Sequence, residues 1–294
     1  MKTRKATAER RKFNSSTEQL DFNGNTIPIP RNFRWFQEEN DLFIVNQEDG
    51  SIFKWIQVIG NLRKNGLTEG IKTEYGRRNF DGIFESKFND NYFHETCDHK
   101  FKECIKKYGG FYISVYKARY EKDERITYAG IGILVNSIKY DNAKKIATNY
   151  MLKYRASNNY TTDLPCGAAM DCIYEYAFEM LEKEVLKKML PGERKADAWN
   201  RISKAKRYEE IGVYGIQDLL TGEAELTTET YASEKCHVAV RNGTRGLFTI
   251  CNDDYEKQMF ETGEAIYFEL GCRNFISRDA AFFGYGFRLM LLPV

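Results

Sequence analysis

Two segments of the chain place apolar residues at the spacing of an amphipathic α-helix. In residues 142–154 the apolar positions are Ile146, Tyr150, Met151 and Tyr154, with Asp141 as the predicted N-cap. The second segment has a longer three-and-four pattern that stops before Pro191-Gly192. Its members are Met170, Ile173, Tyr174, Ala177, Met180, Leu181, Val185 and Leu186. The pattern therefore predicts two helices.

Shorter apolar runs predict strands on either side of these helices. Residues 42–45 and 52–58 are separated by turn-forming residues and predict a β-hairpin. Residues 111–116 follow a Gly-Gly pair and are rich in aromatic and β-branched side chains, which predicts a strand. From about residue 210 to the end, short strand-like runs alternate with glycine-rich turns. The predicted fold class is α+β.

Polar stretches suggest how the chain is divided. Residues 1–26 are charged and polar without periodicity, which predicts an extended N-terminal arm ordered by something outside the domain. Residues 27–294 form the predicted domain, with a polar insertion at about residues 60–108. The basic residues expected to anchor the arm are Lys2, Arg4, Lys5, Arg10, Arg11 and Lys12.

The charge balance limits the partners of this arm. The chain has 44 Lys and Arg against 42 Asp and Glu, a net charge of only +2. A basic arm binds either a phosphate backbone or an acidic protein surface. The near balance makes nucleic acid the less favoured partner and argues against a histone-like binder. A second basic cluster, at residues 194–207, is interpreted as the solvated face of a helix.

Hydropathy and cysteine usage argue against a membrane protein, a secreted protein and a zinc site. No apolar run reaches the roughly 18 residues of a membrane span, and no apolar signal core follows the basic start. The seven scattered cysteines include no CxxC pair, so we expect reduced thiols in a protein made in the cytosol. The cluster His94, Cys97, His99 and Cys104 lacks the two separated ligand pairs of a zinc site, which favours a polar loop without metal.

Seven segments, taken in order, resemble the formylglycine-generating enzyme family, also called the sulfatase-modifying-factor domain. Among them, IFKWIQV and KYGGFYISVYKA resemble its opening strands, and CRNFISRDAAFFGYGFRLML resembles its closing signature. The resemblance covers about residues 27–294 and implies a C-type-lectin-like fold, with small twisted sheets and two helices. The segments are residues 52–58, 107–118, 135–147, 163–177, 214–227, 238–244 and 272–291.

The resemblance also assigns roles to individual residues. Asp218 and Glu225 match a motif that other members use to order loops, sometimes with calcium, so they are structural candidates instead of an acid and base pair. Arg241, Gly286 and Arg288 match the other structural motifs. No cofactor is expected, although the motif leaves room for a structural calcium ion.

Departures from the family argue against catalysis. The active-site cysteines of the family lie about three and eight residues before the arginine that matches Arg273, where this chain has Leu270 and Ala265. Neither Cys251 nor Cys272 aligns with them. Thiolates supply the copper(I) ligands and the redox group in that chemistry. The iron-dependent branch needs several histidines, and this chain has 3. The expectation is therefore that the chain is not an enzyme.

The last third of the chain carries the predicted binding face. Aromatic residues make up 14% of the chain, and about half of those near the C-terminus are expected to fill the core. Tyr and Asn suit adaptable recognition by loops. The predicted binding residues are Tyr267, Phe268, Arg273, Asn274, Phe275, Phe282, Phe283 and Tyr285.

Domains of this family without the catalytic cysteines resemble those displayed on bacteriophage particles. The function expected from this resemblance is a non-catalytic structural or receptor-binding module of a virion. Its arm would attach to the particle, and loops from about 230–294 would face a partner. The expected partners are other virion proteins, further copies of the chain and a host-surface receptor, with no membrane.

Three alternatives remain open. The first is a diverged metal-dependent oxidoreductase of the formylglycine-generating type. The second is a binding protein diversified by a retroelement. The third is a cytoplasmic accessory protein that binds nucleic acid through its arm.

Overall fold

The structure is a computed structural model of the chain, and it describes most of the predicted domain. The described residues are 19–58, 71–73, 76–78, 83–86, 92–95, 98–121, 125–153, 159–195, 197–198, 201–202, 215–219, 224–231, 234–241, 273–279, 281 and 285–294. The predicted arm residues Lys2, Arg4, Lys5, Arg10, Arg11 and Lys12 lie outside this set.

The described elements are short strands, three helices whose bounds are given below, and a further helical segment of which residues 195, 197, 198, 201 and 202 are described. The helices are α1 (Asp98–Tyr108), α2 (Tyr140–Lys153) and α3 (Gly167–Lys188). The strands are β1 (Gln19–Phe22), β2 (Asn25–Pro28), β3 (Phe33–Glu38), β4 (Asp41–Asn46), β5 (Ile52–Gln57), β6 (Ile71–Thr73), β7 (Gly76–Arg78), β8 (Ile83–Ser86), β9 (Tyr92–Glu95), β10 (Gly110–Ser114), β11 (Arg119–Tyr120), β12 (Ile126–Thr127), β13 (Ile133–Leu134), β14 (Tyr160–Asp163), β15 (Ala224–Tyr231), β16 (Glu234–Arg241), β17 (Arg273–Ser277), β18 (Tyr285–Gly286) and β19 (Met290–Pro293).

The centre of the fold is an antiparallel six-stranded sheet in the order β14-β19-β10-β5-β4-β3. The predicted hairpin of residues 42–45 and 52–58 is confirmed as β4 and β5, with Ile44 opposite Phe53. The predicted strand at residues 111–116 is β10, and all five of its residues are buried. This sheet therefore joins the N-terminal strands to the last strand of the chain.

Helices cover both faces of this sheet. On one face, Ile56 and Phe111 pack in a cluster with residues of α1 and α3. On the other face, Trp55 and Tyr112 pack in a second cluster with residues of α2. Because successive side chains of a strand point to opposite faces, both faces of β5 and β10 must be largely apolar, which explains why apolar side chains occupy consecutive positions in these strands. The layered arrangement is α+β, as predicted.

A second sheet has the order β17-β16-β15-β9-β8-β7-β6, and β18 pairs with β15 in parallel. Two smaller sheets complete the described strands, with orders β12-β11-β13 and β1-β2. The glycine-rich last third therefore supplies strands to both large sheets, because β15 to β18 belong to the second and β19 to the first.

The two predicted helices are confirmed, with one correction at a helix start. Helix α2 begins at Tyr140, so Asp141 lies in its first turn and is not the N-cap that the sequence predicted. Helix α3 has Cys166 as its N-cap, where the Sγ atom accepts a hydrogen bond from the Ala169 amide at 3.4 Å. Helix α3 ends at Lys188, close to the predicted stop at Pro191-Gly192.

The boundary of the N-terminal arm needs correction. Residues 19–26, predicted to belong to the arm, form most of the hairpin β1–β2, and Phe22 within it is buried. Asn23 and Gly24 form its turn with φ angles of 50° and 75°. An Asn-Gly pair with positive φ at both positions is the signature of a type I′ hairpin turn, and the sequence contained this signal.

The predicted insertion at residues 60–108 also needs correction at its C-terminal end. Helix α1 packs Phe101, Cys104 and Ile105 into the apolar cluster that it shares with α3. Within the same range, β9 pairs with β15 and so extends the second sheet. The last part of the predicted insertion is therefore core.

Candidate functional site

A buried arginine connects the two large sheets. Arg288 Nε donates to Glu225 Oε2 and Nη2 donates to Glu225 Oε1, both at 2.7 Å. The same guanidinium donates to the carbonyl oxygens of Ser114 at 2.9 Å, Val115 at 3.1 Å and Gln217 at 2.9 Å. Both charged side chains are 0% exposed. Arg288 therefore uses its forked geometry to hold β10, β15 and the turn at Gln217 together.

A second cation completes this ionic centre. Lys117 Nζ lies 3.6 Å from Glu225 Oε1, and its side chain is also fully buried. Burial alone would raise the pKa of Glu225, but Arg288 and Lys117 outweigh it and hold that pKa below its usual value. Glu225 is therefore ionised and held by two cations, which makes it an internal ion-pair partner instead of a general base.

A further buried ion pair joins β15 to β16. Arg241 Nη1 lies 3.6 Å from Glu229 Oε2, and both side chains are 0% exposed. On the same two strands, Thr227 Oγ1 donates to the Ala239 carbonyl at 3.0 Å. Buried charges are costly unless they are paired, so these contacts fix the pairing of β15 with β16.

Strands β16 and β17 pair at the end of β16 and the beginning of β17. Arg241, the last residue of β16, is the register partner of Arg273, the first residue of β17. Residues 242–272 thus begin and end at two opposed positions of one antiparallel pair. Connections between neighbouring antiparallel strands are usually only two to five residues long, so residues 242–272 are an unusually long stretch between two paired strands. Arg241, the residue before this segment, forms the buried ion pair with Glu229.

Asp218 occupies a tight turn at the edge of the ionic centre. Its φ of 56° is in the left-handed region, and the preceding Gln217 donates from Nε2 to Asp218 Oδ1 at 3.3 Å. Arg119 Nη2 lies 3.9 Å from Asp218 Oδ2. In the described part of the chain, no group of three or more His, Cys, Asp or Glu side chains is placed to hold a metal ion. A structural calcium ion stays a prediction.

The predicted binding residues fall into three groups. Tyr267, Phe268, Phe282 and Phe283 lie outside the described residues. Arg273, Asn274 and Phe275 lie on β17, the last strand of the second sheet in the order given above. Tyr285 corrects the prediction, because it is only 9% exposed and pairs with Ala224 as part of β18. Burial also raises the pKa of Tyr285. Its side chain is core and does not present itself to a partner.

Sequence reasoning missed a buried lysine on β5. Lys54 Nζ donates to Asp41 Oδ2 at 2.6 Å and to the Tyr176 hydroxyl at 2.9 Å. The Tyr176 hydroxyl in turn donates to Asp41 Oδ1 at 2.7 Å. The lysine side chain is 0% exposed, whereas that of Asp41 is 25% exposed. The signal that could have found this triad is a lysine in the middle of an apolar strand.

The surroundings of this triad change its acid–base behaviour. Burial lowers the pKa of Lys54 from 10.5 to about 8, although the carboxylate of Asp41 opposes the shift. Burial and the Asp41 charge together raise the pKa of Tyr176. The Lys54 ammonium lies 4.5 Å from the centre of the Tyr176 ring, in cation–π contact. The triad thus links β4, β5 and α3 through polar contacts inside an apolar layer.

Three of the described cysteines are buried thiols. Cys104, Cys166 and Cys172 form no disulfide. The Cys104 thiol donates to the Gly110 carbonyl at 3.2 Å, and burial raises its pKa to about 12. A thiol with so high a pKa is a poor nucleophile and a poor metal ligand at neutral pH. Cys104, which belonged to the His and Cys cluster considered above, therefore serves as a packing residue.

No known protein-family model, curated protein or solved structure matches this chain. Within the described residues, no helix is both long enough and apolar enough to cross a membrane. Function therefore has to be inferred from the geometry of the chain and from the resemblance of its motifs.

Proposed function

We propose that the chain is a non-catalytic binding module of a bacteriophage virion, and that it presents residues 242–272 to a partner. The observation that carries this proposal is the register of Arg241 opposite Arg273. A long connection that starts and ends at one point of a sheet is a common way to build a recognition surface on a rigid scaffold. The partner would be a host-surface receptor or a neighbouring virion subunit.

Buried ion pairs stabilise the strands that flank residues 242–272. The Arg241–Glu229 pair lies at the base of this segment, and the Arg288–Glu225 pair ties the same sheet to the central one. Leaving either partner unpaired in the interior would cost several kcal/mol, roughly 3–5. The strands that flank residues 242–272 therefore resist rearrangement.

The same contacts support a non-catalytic role. Glu225 is engaged by Arg288 and Lys117, so the motif carboxylate serves the fold. Leu270 and Ala265 stand where the resembled family has its active-site cysteines. The layering of helices on the central sheet is α+β, and the finer C-type-lectin-like topology is proposed from the resemblance alone. The virion assignment draws on the resemblance to phage-displayed domains and on the basic residues of the proposed arm.

Location on a particle is tested with an antibody against the purified chain. Particles from a producing culture are pelleted through a density gradient, and the fractions are immunoblotted and examined by immunogold electron microscopy. We expect the chain to co-sediment with intact particles and to be labelled on their surface. A chain that stays entirely in the soluble fraction would contradict the virion assignment.

The binding role is tested separately by removing the proposed surface. Because Arg241 and Arg273 are register partners, residues 242–272 can be replaced by an Asn-Gly turn without breaking the sheet. Particles carrying this variant should assemble normally but adsorb to host cells far more slowly. As a matched control, an Asn-Gly replacement of residues 232–233, between β15 and β16, should leave adsorption unchanged.

The rival enzymatic function gives a different result. Purified protein with stoichiometric copper or iron, lost when Cys251 or Cys272 is changed to Ala, would overturn the non-catalytic assignment. Adsorption and particle assembly that are both independent of residues 242–272 would overturn the binding assignment alone.

A further inference from the structure

Strand β3 forms one edge of the central sheet and has an open side. Within the described residues, β3 pairs with β4 and no other strand is hydrogen-bonded to it. It spans six residues, Phe33–Glu38, and contains no proline. The opposite edge strand, β14, has four residues, and the ion pair of its Asp163 with Lys144 joins it to α2. An open edge is a template for a further strand, and natural proteins usually block it.

The pairing of β3 with β4 decides which backbone groups of β3 face outward. The Gln47 amide donates to the Asn32 carbonyl at 2.9 Å, and this pair continues the register of the two strands by one position. Hydrogen-bonded pairs recur at every second position of two antiparallel strands. The even-numbered residues of β3 therefore bond to β4, and the backbone groups of Trp35 and Gln37 face away from it. Among the described residues, neither has a backbone hydrogen bond on that side.

The side chains of β3 are complementary to a second copy of the same strand. The exposed Arg34 and the half-buried Glu38 lie on one face of β3 and carry opposite charges. When two β3 strands pair antiparallel with Phe36 opposite its own copy, Trp35 and Gln37 form the hydrogen-bonded pairs between them. Arg34 of each copy then lies opposite Glu38 of the other, and two-fold symmetry repeats this contact. Opposite charges at such positions stabilise the pairing of strands.

We propose that β3 pairs with β3 of a second copy of this chain, so that the central sheets of the two copies become continuous. Each copy uses the same surface in a two-fold contact of this kind. Two short strands bury little area, so we expect reversible association. The inference does not rest on the proposed function, because β3 belongs to the central sheet and residues 242–272 lie between two strands of the second.

Sedimentation velocity of the full chain over a range of concentrations tests this proposal, and we expect a reversible equilibrium between monomer and dimer. Gln37→Pro removes an amide hydrogen that faces away from β4, so β3 stays paired with β4. It should weaken dimerisation about thirtyfold, because each dimer loses two backbone hydrogen bonds. Gln37→Ala is the matched control: it loses the same side-chain bond, from Nε2 to the Glu39 carbonyl at 3.0 Å, but keeps the amide. It should dimerise as wild type does.

Exchange of charges tests the register of the two strands. Arg34→Glu places a glutamate opposite Glu38 at both symmetric positions and should weaken dimerisation about tenfold. Adding Glu38→Arg to the same chain restores opposite charges at both positions and should recover most of that loss. Arg34 is exposed, so its variant keeps the test decisive where Gln37→Pro disturbs folding, which circular dichroism would show.

Three results would contradict the proposal. A wild-type chain that stays monomeric at every concentration would overturn it and would leave this edge to a different protein. A dimer that is equally stable in Gln37→Pro, or equally weakened in Gln37→Ala, would show that the backbone edge of β3 is not the interface. A double variant no better than Arg34→Glu alone would overturn the pairing of Arg34 with Glu38.

Discussion

The buried triad of Lys54, Asp41 and Tyr176 predicts an unusual dependence of stability on pH. The folded state holds Lys54 with a pKa of about 8, whereas the unfolded chain has the ordinary value of 10.5. Below pH 8 the lysine is protonated in both states, and the folded state carries the full cost of the buried charge. As the pH rises between these two values, the folded state loses its proton first. The free energy of unfolding should therefore increase with pH in this window.

The size of the effect follows from the two pKa values. The full shift corresponds to about 3 kcal/mol. Between pH 7 and pH 9, linkage gives a rise of about 1 kcal/mol from Lys54 alone. Cys104 acts in the opposite direction, because its folded pKa is raised from 9.0 to about 12 and the unfolded thiol ionises first. The stability that Cys104 contributes begins to fall near pH 9, so the pH dependence of the wild-type unfolding free energy does not report Lys54 alone.

Lys54→Met removes the titrating group and keeps an apolar stem of similar length. Urea unfolding of wild type and variant at several pH values from 7 to 9 gives the difference in unfolding free energy between them. The contribution of Cys104 is the same in both proteins and cancels in this difference. We expect this difference to move by about 1 kcal/mol in favour of wild type as the pH rises. Lys144→Met, which breaks the part-exposed pair with Asp163, keeps Lys54 and should retain the wild-type slope in this window. A difference in unfolding free energy between wild type and Lys54→Met that does not change with pH would refute the lowered pKa of Lys54.

Two further substitutions test the packing around the ionic centre and the central sheet. Arg288→Met should destabilise the protein by about 3–5 kcal/mol in urea unfolding because the buried Glu225 charge then keeps only Lys117 at 3.6 Å, and the loss in the Arg288→Met, Glu225→Gln double variant should be smaller than the sum of the two single losses. The exposed Arg194→Met is its control, and additive losses in the double variant would contradict a direct pair. Gly110→Ala should cost on the order of 2 kcal/mol, because its Cβ would lie 2.4 Å from the Ile56 carbonyl oxygen of the paired strand. A Gly110→Ala melting temperature equal to wild type would contradict that register.

Elements with strong local signals were predictable from the sequence. The hairpin of β4 and β5 and the long helix α3 each combine apolar periodicity with turn or stop residues. Hairpin β1–β2 escaped prediction because its strands are short and mostly polar, although Asn23-Gly24 carried the turn signal. Helix α1 was placed within an insertion because its surroundings are polar, and only its packing against α3 shows that it is core.

The ionic pairs could not be predicted by periodicity, since their partners are far apart in the chain. Arg288 and Glu225 are separated by 63 positions, and Lys54 and Tyr176 by 122. A charged residue inside an apolar run indicates a buried partner, but it does not say which residue supplies it. The resemblance singled out Glu225 and Arg288 as structural motif residues without pairing them, and the structure adds the contact that joins them.

These ion pairs also limit which residues can be substituted without destabilising the fold. A buried charge that satisfies its partner and several carbonyl groups cannot change without a loss of several kcal/mol, roughly 3–5. The ionic centre at Arg288 and the pair at Arg241 are therefore tied to the fold, and under the proposed function differences in binding would have to arise in other chain segments. Residues 242–272 are attached at the end of that scaffold by two opposed strand positions. If the proposed function holds, substitutions in residues 242–272 should change binding at little cost to the stability of the sheet, which a recognition module needs.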